Sequence, residues 1–274
     1  MPTQAEKARA FRALHQRDGA FVIPNPWDVG SARILAGLGF EALASSSAGF
    51  ATSIGKTDYQ PGREAVIGHC AGLAAATALP VSGDLENGFG DSPEAAAETI
   101  RLAAGAGLVG GSIEDATGRA DEPLYPLEAA AERVRAAAEA ARGLGFPFTL
   151  TARAEGLIRG RPDLGDAIAR LQAYQEAGAD VLFAPGLSTL EQVASVVRSV
   201  DRPVSVLAGF FGPEVGVAEL AGAGVRRISV GGLLARLAYG ALIHAARQLK
   251  QDGSFAFVAE TARARGLGRL LGAS

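Results

Sequence analysis

Three acids stand just past short apolar runs: Asp84 and Glu86 in Ser82-Gly83-Asp84-Leu85-Glu86-Asn87-Gly88, and Glu114 in Ser112-Ile113-Glu114-Asp115. Crowded like charges are costly unless a cation neutralises them, and an oxygen-only set suits a hard divalent ion. No histidine or cysteine accompanies them, which favours magnesium, with manganese as the alternative, over zinc. Magnesium keeps several waters, so Asp84 is expected to bind it directly while Glu86 and Glu114 act through water. The competing reading has these acids capping helices or pairing with nearby arginines. Arg153, at the end of Thr149-Leu150-Thr151-Ala152, offers a guanidinium that can hold a carboxylate or a developing enolate oxygen by two parallel hydrogen bonds. A structural pair with Glu155 or Glu114 is its alternative. Ser45-Ser46-Ser47-Ala48 adds hydroxyls and backbone N–H groups, the donors an oxyanion needs.

Other conspicuous residues have plainer readings. Lysine occurs only at Lys7, Lys56 and Lys250, and histidine only at His15, His69 and His244. Chemistry therefore falls to carboxylates, hydroxyls, arginine and backbone. His69 and Cys70 lie inside a helical pattern and read as packing, and His244 falls on the last barrel helix. Gly231-Gly232 reads equally as a phosphate-holding turn or as close helix–strand packing. Trp27 is a candidate roof for the pocket, and Asp28 a cap for the helix near Ser31.

What must position these groups is a repeated unit. Eight short runs are spaced along the chain: 21–23, 42–44, 80–82, 109–113, 148–151, 181–183, 203–207 and 227–230. Each is short enough for a strand buried on both faces. Helix-length stretches separate them, among them 31–38, 127–142, 166–176 and 190–199, several closed by glycine in the manner of a C-terminal cap. Eight strand–helix units without a composition break predict a (β/α)8 TIM barrel, one domain over 1–274. A doubly wound open sheet is the runner-up, weakened by the lack of Gly-x-Gly-x-x-Gly after the first strand. Residues 3–17 predict a helix plugging the barrel bottom. A further helix over about 254–271 is expected to pack on a neighbouring subunit. The acids, the serines and Arg153 then all leave the carboxyl ends of strands, where a barrel holds its site.

Composition narrows the class. The chain has 274 residues, a net charge of −3 and one cysteine. That excludes a disulfide framework and cysteine-cluster metal sites, and fits a reducing compartment. Mild acidity argues against nucleic acid as a partner. No apolar run approaches the ~20 residues that span a bilayer, so no membrane role is expected. The start, Met1-Pro2-Thr3-Gln4-Ala5-Glu6-Lys7, has no signal pattern. A cytoplasmic location is expected.

Across nearly its whole length the chain resembles the isocitrate lyase/phosphoenolpyruvate mutase superfamily. The matching stretches are 39–49, Gly55-Lys56-Thr57-Asp58, 80–90, Ser112-Ile113-Glu114-Asp115, Thr151-Ala152-Arg153-Ala154-Glu155 and Ala177-Gly178-Ala179-Asp180. The resemblance implies a barrel whose last helix is exchanged within a homodimer or homotetramer, magnesium, and a 2-oxo acid or its enolate as substrate or product. It implies that Ser46 and the Ser47 and Ala48 backbone hold the substrate oxygens, with Ser45 in the same turn. Asp58 would lie near the substrate and a metal water. Asp84 would ligate magnesium with Glu86 and Glu114 around it, and Arg153 would contact the substrate. Glu86 stands where the family usually has aspartate. The loop Ala116-Thr117-Gly118-Arg119-Ala120-Asp121-Glu122-Pro123 lacks the lid Cys, Lys and His of the lyases. Pro185 replaces a histidine common after strand six.

These features predict a magnesium-dependent lyase for a small 2-oxo acid, working through an enolate stabilised by the ion, with oxaloacetate decarboxylation as the leading version. A Schiff-base aldolase is disfavoured, since no lysine ends a strand. Alternatives are 2-methylisocitrate/isocitrate lyase-like or oxaloacetate hydrolase activity. In a different class stands a protein that binds a 2-oxo acid such as 2-oxoglutarate with little turnover.

Overall fold

Strand and helix alternate along the whole chain in the computed structural model, which describes residues 1–272. The strands are β1 (Phe21–Ile23), β2 (Leu43–Ala44), β3 (Val81–Asp84), β4 (Gly110–Glu114), β5 (Thr149–Arg153), β6 (Val181–Phe183), β7 (Val204–Leu207) and β8 (Arg227–Ser229). All pairings are parallel, in the order β1-β8-β7-β6-β5-β4-β3-β2. The seam between β1 and β2 is bridged by the Ala44 N–H donating to the Pro24 carbonyl at 3.1 Å. The result is a nearly closed (β/α)8 TIM barrel.

The helices are α1 (Gln4–Gln16), α2 (Val29–Gly37), α3 (Ser47–Ser53), α4 (Arg63–Ala76), α5 (Pro93–Gly105), α6 (Leu127–Arg142), α7 (Leu164–Glu176), α8 (Leu190–Arg198), α9 (Val217–Gly222), α10 (Leu233–Arg247) and α11 (Leu267–Leu270). Their starts follow local chemistry. Asp28 caps α2 by accepting from the Ser31 N–H at 2.6 Å, and Ser92 with Pro93 opens α5.

Strand alternation divides the apolar side chains into two cores. Outward-facing Leu43, Val81, Ile113, Leu150 and Leu182 pack against the surrounding helices. Inside, Ala8, Phe11 and Leu14 of α1 meet Phe21, Ile23 and Ala44, so α1 stops one end of the barrel. Gly110 admits this plug, since a Cβ there would lie 2.7 Å from the Phe11 ring. Across β3, β4, β5, β7 and β8 many inward positions are instead polar, including Ser82, Ser112, Thr149, Thr151, Ser205 and Arg227, while β6 contributes Val181 and Phe183. Barrel interiors are ordinarily filled with branched apolar residues. Here the chain reserves the space for polar groups.

The tail departs from the expected single helix over about 254–271. It forms a 3-10 stretch, Ala256–Ala264, and then the four-residue α11. Gly266 separates them with φ +85, a left-handed conformation that suits glycine and breaks helical continuity. α11 docks on α2 of the same chain, where a Cβ on Gly37 would meet Leu270 at 3.1 Å. Residues 273–274 of the expected domain lie outside the described residues.

Candidate active site

The carboxyl ends of the strands open into a cavity of about 880 Å³ lined by Ser45, Ser47, Ala48, Asp58, Asp84 and Arg153 among others. The end of β3 delivers Asp84. Its Oδ2 accepts from the Ser47 N–H at 3.1 Å, and its own N–H donates to Ser45 Oγ at 2.8 Å. Its Oδ1 is buried without a hydrogen-bond partner, 3.6 Å from Arg153 Nη1. Ser45 therefore positions Asp84. The Ser46 hydroxyl caps α3 by accepting from the Gly49 N–H at 3.1 Å, which leaves Ser47 and Ala48 to face the cavity.

Glu86 follows two residues later with φ 49, and its carbonyl accepts from the Glu114 N–H at 3.0 Å. Non-glycine residues rarely adopt this region, and such backbone clusters at functional sites. The Glu86 side chain is buried, its Oε1 lacks a partner, and it borders a neighbouring cavity shared with Tyr59. Burial first, then the charges of Asp84 and Asp58, push its pKa up to about 8. Asp58 stands on the exposed rim of the mouth. Crowding by protein atoms and then the Asp84 charge raise its pKa.

Glu114 lies behind these residues and lines neither cavity. It accepts from the Tyr59 hydroxyl, and its Oε2 is 3.3 Å from Arg153 Nη1. Burial and then Glu155 raise its pKa well above the usual range, with Arg153 opposing. Arg153 also donates from Nε to Glu155 Oε1 at 2.5 Å. Glu155 in turn accepts from Arg159 Nε at 2.9 Å, and Arg159 Nη2 donates to Tyr59 at 2.6 Å. Burial works against the Arg153 charge, yet Glu155, Glu114 and Asp84 hold it firmly protonated. Arg153 is thus tied to Glu155 and Glu114, as its structural alternative has it, and it also lines the cavity.

The three acids do not converge into one cage. Among the described residues no three His, Cys, Asp or Glu side chains stand close enough to share an ion. Glu114 is spent on Arg153 and Tyr59. Asp84 Oδ1, which accepts no hydrogen bond and has only the Arg153 ion pair, and the unpartnered Glu86 Oε1 nevertheless fit a hydrated hard cation held directly by Asp84, because magnesium retains most of its waters and needs few protein oxygens.

That fit has a pH signature. Glu86 titrates near 8 in the folded chain against 4.5 for the free side chain. An acid raised by folding favours the native state below its unfolded pKa, and this advantage is lost as pH rises toward the folded value. A bound cation reverses the loss. The rise in Tm produced by magnesium is therefore expected to grow by several degrees between about pH 5.5 and about pH 8.5. Scanning calorimetry checks this, and in Glu86→Gln the growth should largely vanish. A magnesium effect independent of pH in the wild type would contradict the fit.

Several residues beyond the sequence reading complete the site. Asn25 Oδ1 accepts from the N–H groups of Val230 and Gly231 at 2.9 and 2.8 Å, while its Nδ2 donates to the Ser45 carbonyl at 3.0 Å. The Gly231 donor thus serves barrel closure and is not free for a phosphate. Tyr59 and Arg159 enter from loops. His69 stacks on Phe50 at 4.1 Å and Cys70 is fully buried, as packing residues.

A parallel barrel with carboxylates and a guanidinium at its carboxyl-terminal mouth has the layout of a (β/α)8 enzyme. The phosphoenolpyruvate phosphomutase family model matches residues 11–250, and the chain belongs to this family, within the isocitrate lyase/phosphoenolpyruvate mutase superfamily. A crystal structure from Burkholderia cenocepacia J2315, described as a candidate lyase/mutase, is 57% identical, covers 97% of this chain and 95% of its own, and superposes with a TM-score of 0.93. Oxaloacetate decarboxylase of Pseudomonas putida GB-1 is 29% identical over 205 residues, 72% of this chain and 69% of the relative. The structure of oxaloacetate acetylhydrolase with its product oxalate is 25% identical, with a TM-score of 0.87 over 99% of this chain and 96% of that one.

Proposed function

We propose that the chain is a divalent-metal-dependent carbon–carbon lyase for a small 2-oxo acid, with decarboxylation of oxaloacetate as its reaction. The observation that carries this reading is the buried Asp84 Oδ1, which accepts no hydrogen bond and stands in an ion pair with Arg153 Nη1 at 3.6 Å on the cavity wall. The likeness to an oxaloacetate decarboxylase and an oxaloacetate acetylhydrolase supports it.

Magnesium or manganese, when bound beside Asp84, supplies Lewis-acid stabilisation of negative charge on the substrate. The chain's own residues do the rest. Ser47, Ala48 and Arg153 orient the carboxylate and the 2-oxo group, and Ser45 and Ser46 hold the turn that carries them. As the C3–C4 bond breaks, CO2 leaves and the bonding pair becomes the enolate, whose oxygen charge Arg153 stabilises. Asp58, which lines the mouth and has a raised pKa, delivers the proton that C3 takes up to give pyruvate. Glu86, uncharged below about pH 8, and Glu114, held by Arg153 and Tyr59, wall in the Asp84–Arg153 pair.

The same reading places the enzyme in the cytoplasm as a single-domain homodimer or homotetramer. Exposed Leu237, Leu242 and Ile243 on α10 support an exchange of C-terminal helices between subunits. No described helix is long and apolar enough to cross a membrane.

The test is loss of oxaloacetate by the magnesium-loaded protein beside Asp84→Asn. The variant is expected to be slower by about a hundredfold. Equal rates would reject the lyase. Saturable binding of 2-oxoglutarate without turnover would instead identify a 2-oxo acid binding protein.

A further inference from the structure

The barrel interior carries a cation that the reaction above does not use. Arg227 opens β8 and shares its inward face with Ser229, and its side chain reaches the deep wall of the cavity. It is only 5% exposed. Among the described residues its guanidinium makes one hydrogen bond, from Nη1 to Thr151 Oγ1 at 3.0 Å. Its Nε has no partner, and no carboxylate lies within ion-pair distance. Burial lowers its pKa to about 10, opposed only by the more distant Asp84.

The contrast with Arg153 is informative. Arg153 is surrounded by Asp84, Glu114 and Glu155, whereas Arg227 has no such company. A buried, uncompensated cation costs stability, and an apolar side chain would fill the same interior without that cost. Its surroundings are polar on the β7 side, while Phe21 is its register partner on β1. Ser205, its register partner on β7, has a buried hydroxyl without a protein partner, as do Ser82 and Thr149. Such a floor suits an oxyanion better than an alkyl group.

Position fixes the kind of anion. Thr151, which holds Arg227, lies two residues below Arg153 on the same face of β5, roughly 7 Å along the strand. The two guanidinium groups therefore stand about one side-chain layer apart, a gap that a four-carbon diacid can bridge. We propose that Arg227 receives a second anionic group of the substrate and makes the site selective for dianionic over monoanionic 2-oxo acids. This rests on the 2-oxo acid reading given above and adds to it the residue that sets the charge of the substrate.

The experiment uses two unreactive probes of equal carbon number on the magnesium-loaded protein: malate, a dianion, and 2-hydroxybutyrate, a monoanion. Calorimetry is expected to show malate binding tighter than 2-hydroxybutyrate by about tenfold or more. In Arg227→Met that preference disappears through loss of malate affinity alone, and the ligand-free Tm is equal to or above that of the wild type. Arg227→Lys, which keeps the charge but not the planar fork, retains part of the preference and decides the matter if the methionine variant does not fold. Unchanged preference in both variants, or an equal loss for both probes, overturns the assignment. Wild-type binding of both probes without preference overturns Arg227 alone. Binding of neither probe rejects the 2-oxo acid reading together with it.

Discussion

Arg153→Met is expected to lower oxaloacetate turnover by about a thousandfold, the largest effect on activity of any single change in the site. Arg153 faces three buried or half-buried acids, with Nη1 at 3.6 Å from Asp84 and 3.3 Å from Glu114, and Nε at 2.5 Å from Glu155. Removing it takes away the donor that stabilises developing oxygen charge and leaves those acids without a counter-charge. At Glu114 the effect of burial then goes unopposed by Arg153. Losing one partner of a buried ion pair also costs about 3–5 kcal/mol of stability. Folding must therefore be separated from chemistry, and Arg153→Lys does this. Lysine keeps a positive charge but cannot serve the separate directions that Nε and Nη1 occupy. It is expected to fold, to lose only a few degrees in Tm, and still to turn over about a hundredfold more slowly than the wild type. Steady-state rates beside urea unfolding of the two variants settle the point. If Arg153→Met keeps more than about a tenth of wild-type turnover, Arg153 is a structural residue only.

How much of this could be read from the chain depended on whether a residue's role is local. Asp84, Glu114 and Arg153 end strands, and strand ends are marked by short apolar runs followed by polar stops, so their arrival at one rim followed from the barrel. The α6 limits, Leu127–Arg142, match the sequence pattern because Pro126 and Gly143 bracket an uninterrupted alanine-rich stretch. Arg227 was legible in principle, since strand alternation points it inward, but a lone arginine at a strand start reads as a surface residue until the barrel closes around it. Tyr59 and Arg159 were not legible. They come from loops 100 residues apart and meet only in three dimensions. The surroundings of Glu114 were hidden for a similar reason, because spacing places it on the rim but does not reveal that Tyr59 and Arg153 occupy it. The tail was misread because its apolar content looks helical while Gly266 breaks the helix.

Asp115→Leu is expected to cost about 3–5 kcal/mol of stability, as much as Arg153→Met, although Asp115 does not line the cavity. The neighbouring acids Glu114 and Asp115 illustrate strand alternation: one faces the barrel interior, the other the helices. Asp115 Oδ2 accepts from Arg170 Nη1 at 3.0 Å and from the Tyr174 hydroxyl at 2.7 Å, both from α7. Its Oδ1 accepts from the Glu155 N–H at 2.7 Å. All four groups are buried, so a leucine leaves the Tyr174 hydroxyl and the Glu155 amide without their acceptor and Arg170 with only Asp166 and the Tyr125 carbonyl. The loss corresponds to a fall in Tm of about 10 °C for a chain of this size. Because the Glu155 amide loses its anchor, the Glu155 carboxylate shifts and with it the Arg153 guanidinium. Turnover should therefore fall as well, even at temperatures where the variant is folded. Asp115→Asn keeps an acceptor for the Glu155 amide but loses the charge facing Arg170, and should sit between the two in Tm while retaining most activity. A Tm within a degree or two of the wild type in Asp115→Leu would show that the α7 contacts are replaceable and that the rim is held in place by the strands alone.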